Sequence, residues 1–270
     1  MMTLNDVYGF TTTPFTKAIA TAHLYPSRGH QEVQGRLHFA LLDQLPALIT
    51  GDVGTGKSTA LRAFAHSLDR NLYHVVYLSN PHLTVPALYR QILLGLQAEP
   101  AFGFRRLLPQ FHATVSQLAR QGRYVLLIVD EAHLLPTELF DQLRFLLNQD
   151  MDSASSLTLV LLGQPDLAHR LRFAPYAALY QRIAIRYQIP PFDLEETAGY
   201  IKHQLRVAGH PGAVFSDSFV SGVFQHTQGV ARKINNLCRS ALFLGASEQK
   251  QILDETDLQR VIRDLEGPGA

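Results

Sequence analysis

Gly51-Asp52-Val53-Gly54-Thr55-Gly56-Lys57-Ser58 is the stretch whose reading decides the fold. It fits the pattern G-x-x-x-x-G-K-[ST] in full. The apolar run Ala47-Leu48-Ile49-Thr50 stands before it and reads as a buried strand. After it, from Thr59 to Leu68, Leu61, Phe64, Ala65 and Leu68 recur at helical spacing. Three glycines let the backbone curl until successive N–H groups point inward at a polyphosphate. The helix that starts there adds its positive dipole end. Lys57 can reach the β- and γ-phosphates, and Ser58 has a hydroxyl suited to Mg²⁺. Gly51 through Ser58, with Thr59, are therefore expected to line a nucleotide, and ATP with Mg²⁺ is the expected ligand.

Working outward, strands alternate with helices. An amphipathic helix from about Gln31 to Leu45 leads into the first strand. A second strand covers His74 to Leu78, followed by helices from about Val85 to Leu96 and Leu107 to Arg120. Tyr124 to Val129 is apolar throughout, as a strand covered on both faces must be. A helix from about Thr137 to Asn148, a fourth strand Leu157–Leu162, short helices around 167–172 and 176–182, and a fifth strand Ile183–Ile189 complete the pattern. Such alternation predicts a parallel five-stranded α/β sheet between helical layers, residues 1–189. Pro190-Pro191 ends it. Residues 190–270 read as helix only: 194–208, 216–227, 231–246 and 255–265, with Asp193 and Ser216 as N-caps and Gly209 and Gly229 as stops. They are expected to form a small all-helical lid domain.

At 270 residues, one large and one small domain is the natural expectation. A net charge of +1 gives no bulk argument for nucleic acid, so a DNA-binding surface must be local. One cysteine, Cys238, excludes an internal disulfide framework and suits a reducing cytosol. No signal-peptide pattern and no apolar run of bilayer-spanning length are visible, so the expectation is a cytoplasmic protein without a membrane partner.

A carboxylate closing a buried strand is costly unless a cation or hydrogen bonds await it. Asp130 is in that position, 73 residues after Lys57. It is expected to complete the Mg²⁺ shell with Ser58, while Glu131 orients and deprotonates an attacking water. The alternative is an acidic pair capping a strand-to-helix turn. Gln164 ends the next strand, where an amide could touch the γ-phosphate; otherwise it is a turn residue before Pro165. Arg182 at a helix end and Arg232 at the start of a lid helix read, on arrangement alone, as surface cations. Phe10 and Phe15 form either a strap across the domain or part of an adenine site. Among the twelve histidines no zinc spacing is present, and His133 reads as an ordinary polar or interface residue. Arg90, Arg105 and Arg106 are candidate phosphate contacts for duplex DNA, or simply solvated helix residues.

Taken together, Gly51–Ser58, Asp130-Glu131-Ala132-His133, Gly163-Gln164-Pro165-Asp166-Leu167, Gln181-Arg182-Ile183 and Gly229-x-x-Arg232-x-Ile234-Asn235-Asn236 resemble the AAA+ ATPases of the ExeA type. That group takes in secretion ATPases and transposon-encoded ATPases akin to TnsC, TniB and IstB. The resemblance runs from about Tyr8 to Leu265. It implies that Gln164 is sensor 1, Arg182 an arginine finger offered to a neighbouring copy, and Arg232 sensor 2. Ala231 departs from the proline that relatives tend to have. In relatives, elements after the second strand line a ring or filament pore and touch the DNA backbone. The resemblance favours an ATP-dependent transposition regulator that assembles on double-stranded DNA and recruits a transposase, with or without a separate target selector. The expectation rests on a 270-residue chain with no appended module. The alternatives are a secretion or pilus-assembly ATPase, and a nucleotide-gated scaffold in which turnover is incidental.

Overall fold

The computed structural model describes residues 4–16, 19–80, 82–147 and 157–266. In chain order the helices are α1 (Leu4–Tyr8), α2 (Arg28–Leu42), α3 (Lys57–Ser67), α4 (Val85–Gly95), α5 (Phe104–Arg120), α6 (Thr137–Leu146), α7 (Pro165–Arg170), α8 (Ala177–Arg182), α9 (Leu194–Val207), α10 (Asp217–Thr227), α11 (Ala231–Ser247) and α12 (Glu255–Glu266). The strands are β1 (Ala47–Thr50), β2 (Tyr73–Leu78), β3 (Tyr124–Val129), β4 (Leu157–Gly163) and β5 (Ile185–Gln188). Two compact units result. One comprises Gly29–Gly51 and Lys57–Ile189; the other comprises Met1–Arg28, Asp52–Gly56 and Pro190–Ala270.

The first unit is a five-stranded sheet, ordered β2-β3-β4-β1-β5, in which every pairing is parallel. β1, β3 and β4 are buried almost throughout, which explains their unbroken apolar runs. Alternation along each strand divides the core into two faces. Leu48, Leu127, Val129, Leu159 and Leu161 pack with Tyr89, Ile92, Phe111 and Phe140. Ile49, Leu126, Ile128, Val160 and Leu162 pack with Leu37 and Phe64. Each such aliphatic side chain, fully buried, contributes about 1.5–3 kcal/mol before entropy is counted.

Several boundaries differ from the periodicity. α2 ends at Leu42, and β5 is confined to Ile185–Gln188, an edge strand whose Arg186 and Gln188 face solvent. The helix expected to end at Asn148 runs to Leu146; Asn148 lies outside the described residues.

The second unit is helical and has its own core, in which Phe215 stacks on Phe219 with ring centroids 4.4 Å apart. Asp193 caps α9 by accepting from the Glu196 N–H at 2.8 Å, and Ser216 caps α10 by accepting from Phe219 N–H at 3.2 Å. The N-terminal residues belong to this core. Tyr8, Phe10 and Phe15 are buried in it, Phe10 against His210 and Phe15 against Phe215. Thr11 N–H donates to Ala208 O at 2.8 Å and ties the segment down. Among the described residues no helix is long and apolar enough to cross a membrane.

Candidate functional site

Parallel register gathers the chemistry at one edge of the sheet. Thr50 pairs with Gly163, and Val129 with Leu161, so Gly51, Asp130 and Gln164 all emerge at the carboxyl ends of adjacent strands. Lys57 opens α3 with its side chain buried, and its Nζ donates to Gly51 O at 2.7 Å. Ser58 Oγ donates to Asp130 Oδ2 at 2.8 Å.

Asp130 is 5% exposed, and its carboxylate is heavily hydrogen-bonded. Besides Ser58, Tyr77 Oη donates to Oδ2 at 2.6 Å and Glu131 N–H donates to Oδ1 at 2.8 Å. Charge-assisted bonds of this kind offset the loss of hydration. Burial and the neighbouring Asp130 carboxylate push the Tyr77 phenol well above its ordinary value.

Glu131 has φ 52° and ψ 33°, a left-handed conformation that costs a residue with a Cβ. Its Oε2 lies 3.4 Å from His133 Nδ1, and His133 Nε2 lies 3.0 Å from Gln164 Nε2. Gln164 is the N-cap of α7, yet its side chain makes no capping bond and turns to the imidazole. A Cβ on Gly163 beside it would lie 2.8 Å from Leu167 Cδ2 and 3.3 Å from His133 N, a close approach.

Arg182 is at the other end of the sheet. It closes α8, and the next residues, Ala184 and Ile185, bond to Pro46 O just before β1. Four residues of β1 separate that edge from Gly51, about 13 Å at 3.3 Å per residue.

In the helical unit the loop Asp52–Gly56 is folded by Thr55, whose Oγ1 donates to Asp52 O at 2.9 Å. Gly54 and Gly56 have φ 90° and 98°, the region that glycine tolerates. Arg232 N–H donates to Gly54 O at 3.1 Å, and a Cβ on Gly54 would meet Arg232 Cβ at 2.7 Å. The start of α11 thus packs directly on the glycine loop. Ala231, in place of proline, still opens the helix. Gly229 is obligatory, since a Cβ would lie 1.8 Å from Phe192 O.

Arg90, Arg105 and Arg106 are exposed on α4 and α5. The intervening Phe102 is 98% exposed, and no acidic residue occurs between Glu99 and Asp130.

Residues 42–171 match the AAA domain family. The fold is that of an AAA+ protein. Over 264 residues the chain is 30% identical to General secretion pathway protein A of Aeromonas hydrophila, covering 96% of this chain and 48% of that protein. The chain therefore spans about half the length of this relative. Among solved structures the AAA+ fold recurs in Drosophila ORC bound to DNA, with TM-score 0.71 and 18% identity over 94% of this chain and 64% of that one. It recurs in Cdc6p of Pyrobaculum aerophilum, with TM-score 0.69 and 15% identity over 92% and 69%. RuvB of Thermotoga maritima follows with TM-score 0.61 and 16% identity over 87% and 67%.

Two side chains at this site have roles that no spacing in the sequence announces. Tyr77 sits on an edge strand, and only the β2–β3 register, Leu78 opposite Val129, brings it to Asp130. His133, the last residue of the Asp130-Glu131-Ala132-His133 motif, stands between Glu131 and Gln164.

Proposed function

We propose that this chain binds ATP with Mg²⁺, hydrolyses it as an AAA+ ATPase assembled from copies of itself, and powers a secretion-pathway apparatus from the cytoplasm. The observation that carries the enzymatic part is the 2.8 Å contact of Ser58 Oγ with the buried Asp130 carboxylate, at the foot of the glycine loop. A hydroxyl and a carboxylate side by side form an all-oxygen donor set, which suits a hard divalent cation. Two left-handed glycines and the N-terminus of α3 supply backbone N–H groups for phosphates. When bound, Mg²⁺ neutralises charge developing on the phosphates.

Lys57 adds a fixed cation to the loop; within the helical unit Arg232, whose N–H donates to Gly54 O, takes the sensor 2 role that the resemblance implies. Glu131, half exposed at the strand end, accepts the proton of an attacking water. Gln164 aligns the terminal phosphate. Arg182, at the opposite sheet edge from Gly51, acts on a neighbouring copy rather than on its own site, so turnover depends on assembly.

The secretion role draws on the 30% identity to the Aeromonas protein, which spans nearly all of this chain. A second reading, regulation of transposition on duplex DNA, has a specific observation in its favour. Arg105 and Arg106 are exposed beside Phe102, within thirty residues that lack any acid, a local surface suited to phosphate contacts. In that reading the assembled, ATP-bound form holds double-stranded DNA and recruits a transposase, directly or through a target selector. Hydrolysis releases it.

Steady-state ATPase activity measured with and without duplex DNA separates the readings. Stimulation by DNA that fades with salt supports the second; indifference to DNA supports the first. Failure to bind Mg·ATP at all would remove both.

A further inference from the structure

We propose that His133 is a positioning residue that couples Glu131 to Gln164. The inference rests on the reading of those two residues as base and phosphate sensor. The imidazole is 9% exposed and lies between Glu131, which follows β3, and Gln164, which follows β4. Its Nε2 is 3.0 Å from Gln164 Nε2. With the amide nitrogen assigned on that side, Nε2 can only accept, so the ring proton is on Nδ1. Nδ1 points towards Glu131 Oε2 at 3.4 Å, buried and without a hydrogen-bond partner. A buried donor short of its acceptor is costly to leave so. A small swing of the half-exposed Glu131 carboxylate closes the contact.

The surroundings hold His133 in register. Arg170 Nη1 donates to the His133 carbonyl at 3.0 Å, while its Nε and Nη2 donate to Tyr176 Oη at 3.0 and 2.9 Å. These bonds anchor the His133 backbone, so the ring is carried on a fixed carbonyl. One amide N–H of Gln164 goes to the ring, which fixes the direction of the other. Displacement of Gln164 by a terminal phosphate would alter what Nε2 accepts, and thereby the pull of Nδ1–H on Glu131. His133 makes the base sense whether the third phosphate is present.

The test compares His133→Ala, Gln164→Ala, the double variant and Glu131→Gln for kcat, for the ratio of ATP to ADP affinity in a fluorescent-nucleotide competition, and for thermal midpoint. His133→Ala is expected to lose about 10²-fold in kcat, the scale of a misplaced catalytic group. Its ATP preference should fall to the level of Gln164→Ala, with no further fall in the double variant and an unchanged midpoint. His133→Asn, which retains an amide nitrogen near the Nδ1 position but does not reach Gln164, should recover kcat to within about tenfold and leave the ATP preference low. Should the alanine variant not fold, His133→Asn alone decides by that split.

Wild-type kcat and wild-type ATP preference in His133→Ala, with Glu131→Gln inactive, would overturn the coupling and leave the base in place. A kcat loss that merely follows a lowered midpoint would overturn it too. Normal hydrolysis by Glu131→Gln would instead remove the underlying reading, and the coupling with it.

Discussion

Tyr77 Oη donates to Asp130 Oδ2 at 2.6 Å, on the same oxygen that accepts from Ser58. An edge-strand phenol thus braces the buried carboxylate beside the Ser58 hydroxyl. Tyr77→Phe should lower unfolding free energy by about 1 kcal/mol, as loss of one hydrogen bond does. The pH dependence has a definite sign. Because the folded pKa is raised above the ordinary 10.0, the contact's stability is complete below about pH 10 and is lost as pH rises through the folded value. Chemical denaturation at neutral and alkaline pH should show the wild-type advantage shrinking above pH 10. An advantage independent of pH would contradict the bond.

Lys57→Ala should abolish tight nucleotide binding while leaving the fold intact. The ammonium, now donating to Gly51 O, is a charge-assisted donor worth about 1.5–3 kcal/mol, so affinity should drop by about 10–100-fold or more. Isothermal titration with Mg·ATP checks this.

Arg182→Ala is expected to retain ATP binding and lose turnover by about 10³-fold, the low end for an arginine finger. Mixing it with Glu131→Gln protein should restore activity, since each copy supplies what the other lacks. Absence of recovery in the mixture, with both variants folded and able to co-assemble, would speak against action on a neighbour.

The glycines provide a paired stability test. Gly229→Ala forces a Cβ to within 1.8 Å of Phe192 O at φ 72°, and should cost more than about 3 kcal/mol. Gly56 has φ 98° but open space where its Cβ would go, so Gly56→Ala carries the left-handed strain alone, about 1–2 kcal/mol of stability, yet should weaken nucleotide binding. Urea melts and nucleotide titrations of the two variants should separate the effects.

If duplex DNA binds, Arg105→Glu with Arg106→Glu should weaken it for all sequences alike and lower the slope of log affinity against log salt by about 2. Fluorescence anisotropy at several salt concentrations measures both.

Sequence by itself determined the strand–loop–helix around Gly51–Ser58, the Asp130-Glu131 pair at the end of an apolar strand, and the succession of sheet elements followed by helices. Those signals are local: glycine conformation, apolar runs and caps such as Asp193 are written within a few residues of where they act. Tertiary structure alone decided the strand order β2-β3-β4-β1-β5, because parallel pairing joins segments far apart in the chain and periodicity says nothing about neighbours. The same order brought Tyr77 to Asp130 and set His133 between Glu131 and Gln164. It also sent Arg182 to the far edge from Gly51. Phe10 and Phe15 likewise gave no sign of where they would be buried; the helical unit's core took them, because their partners, His210 and Phe215, lie about two hundred residues further along the chain. Residue types announce what chemistry is available, and only register and packing determine which groups meet.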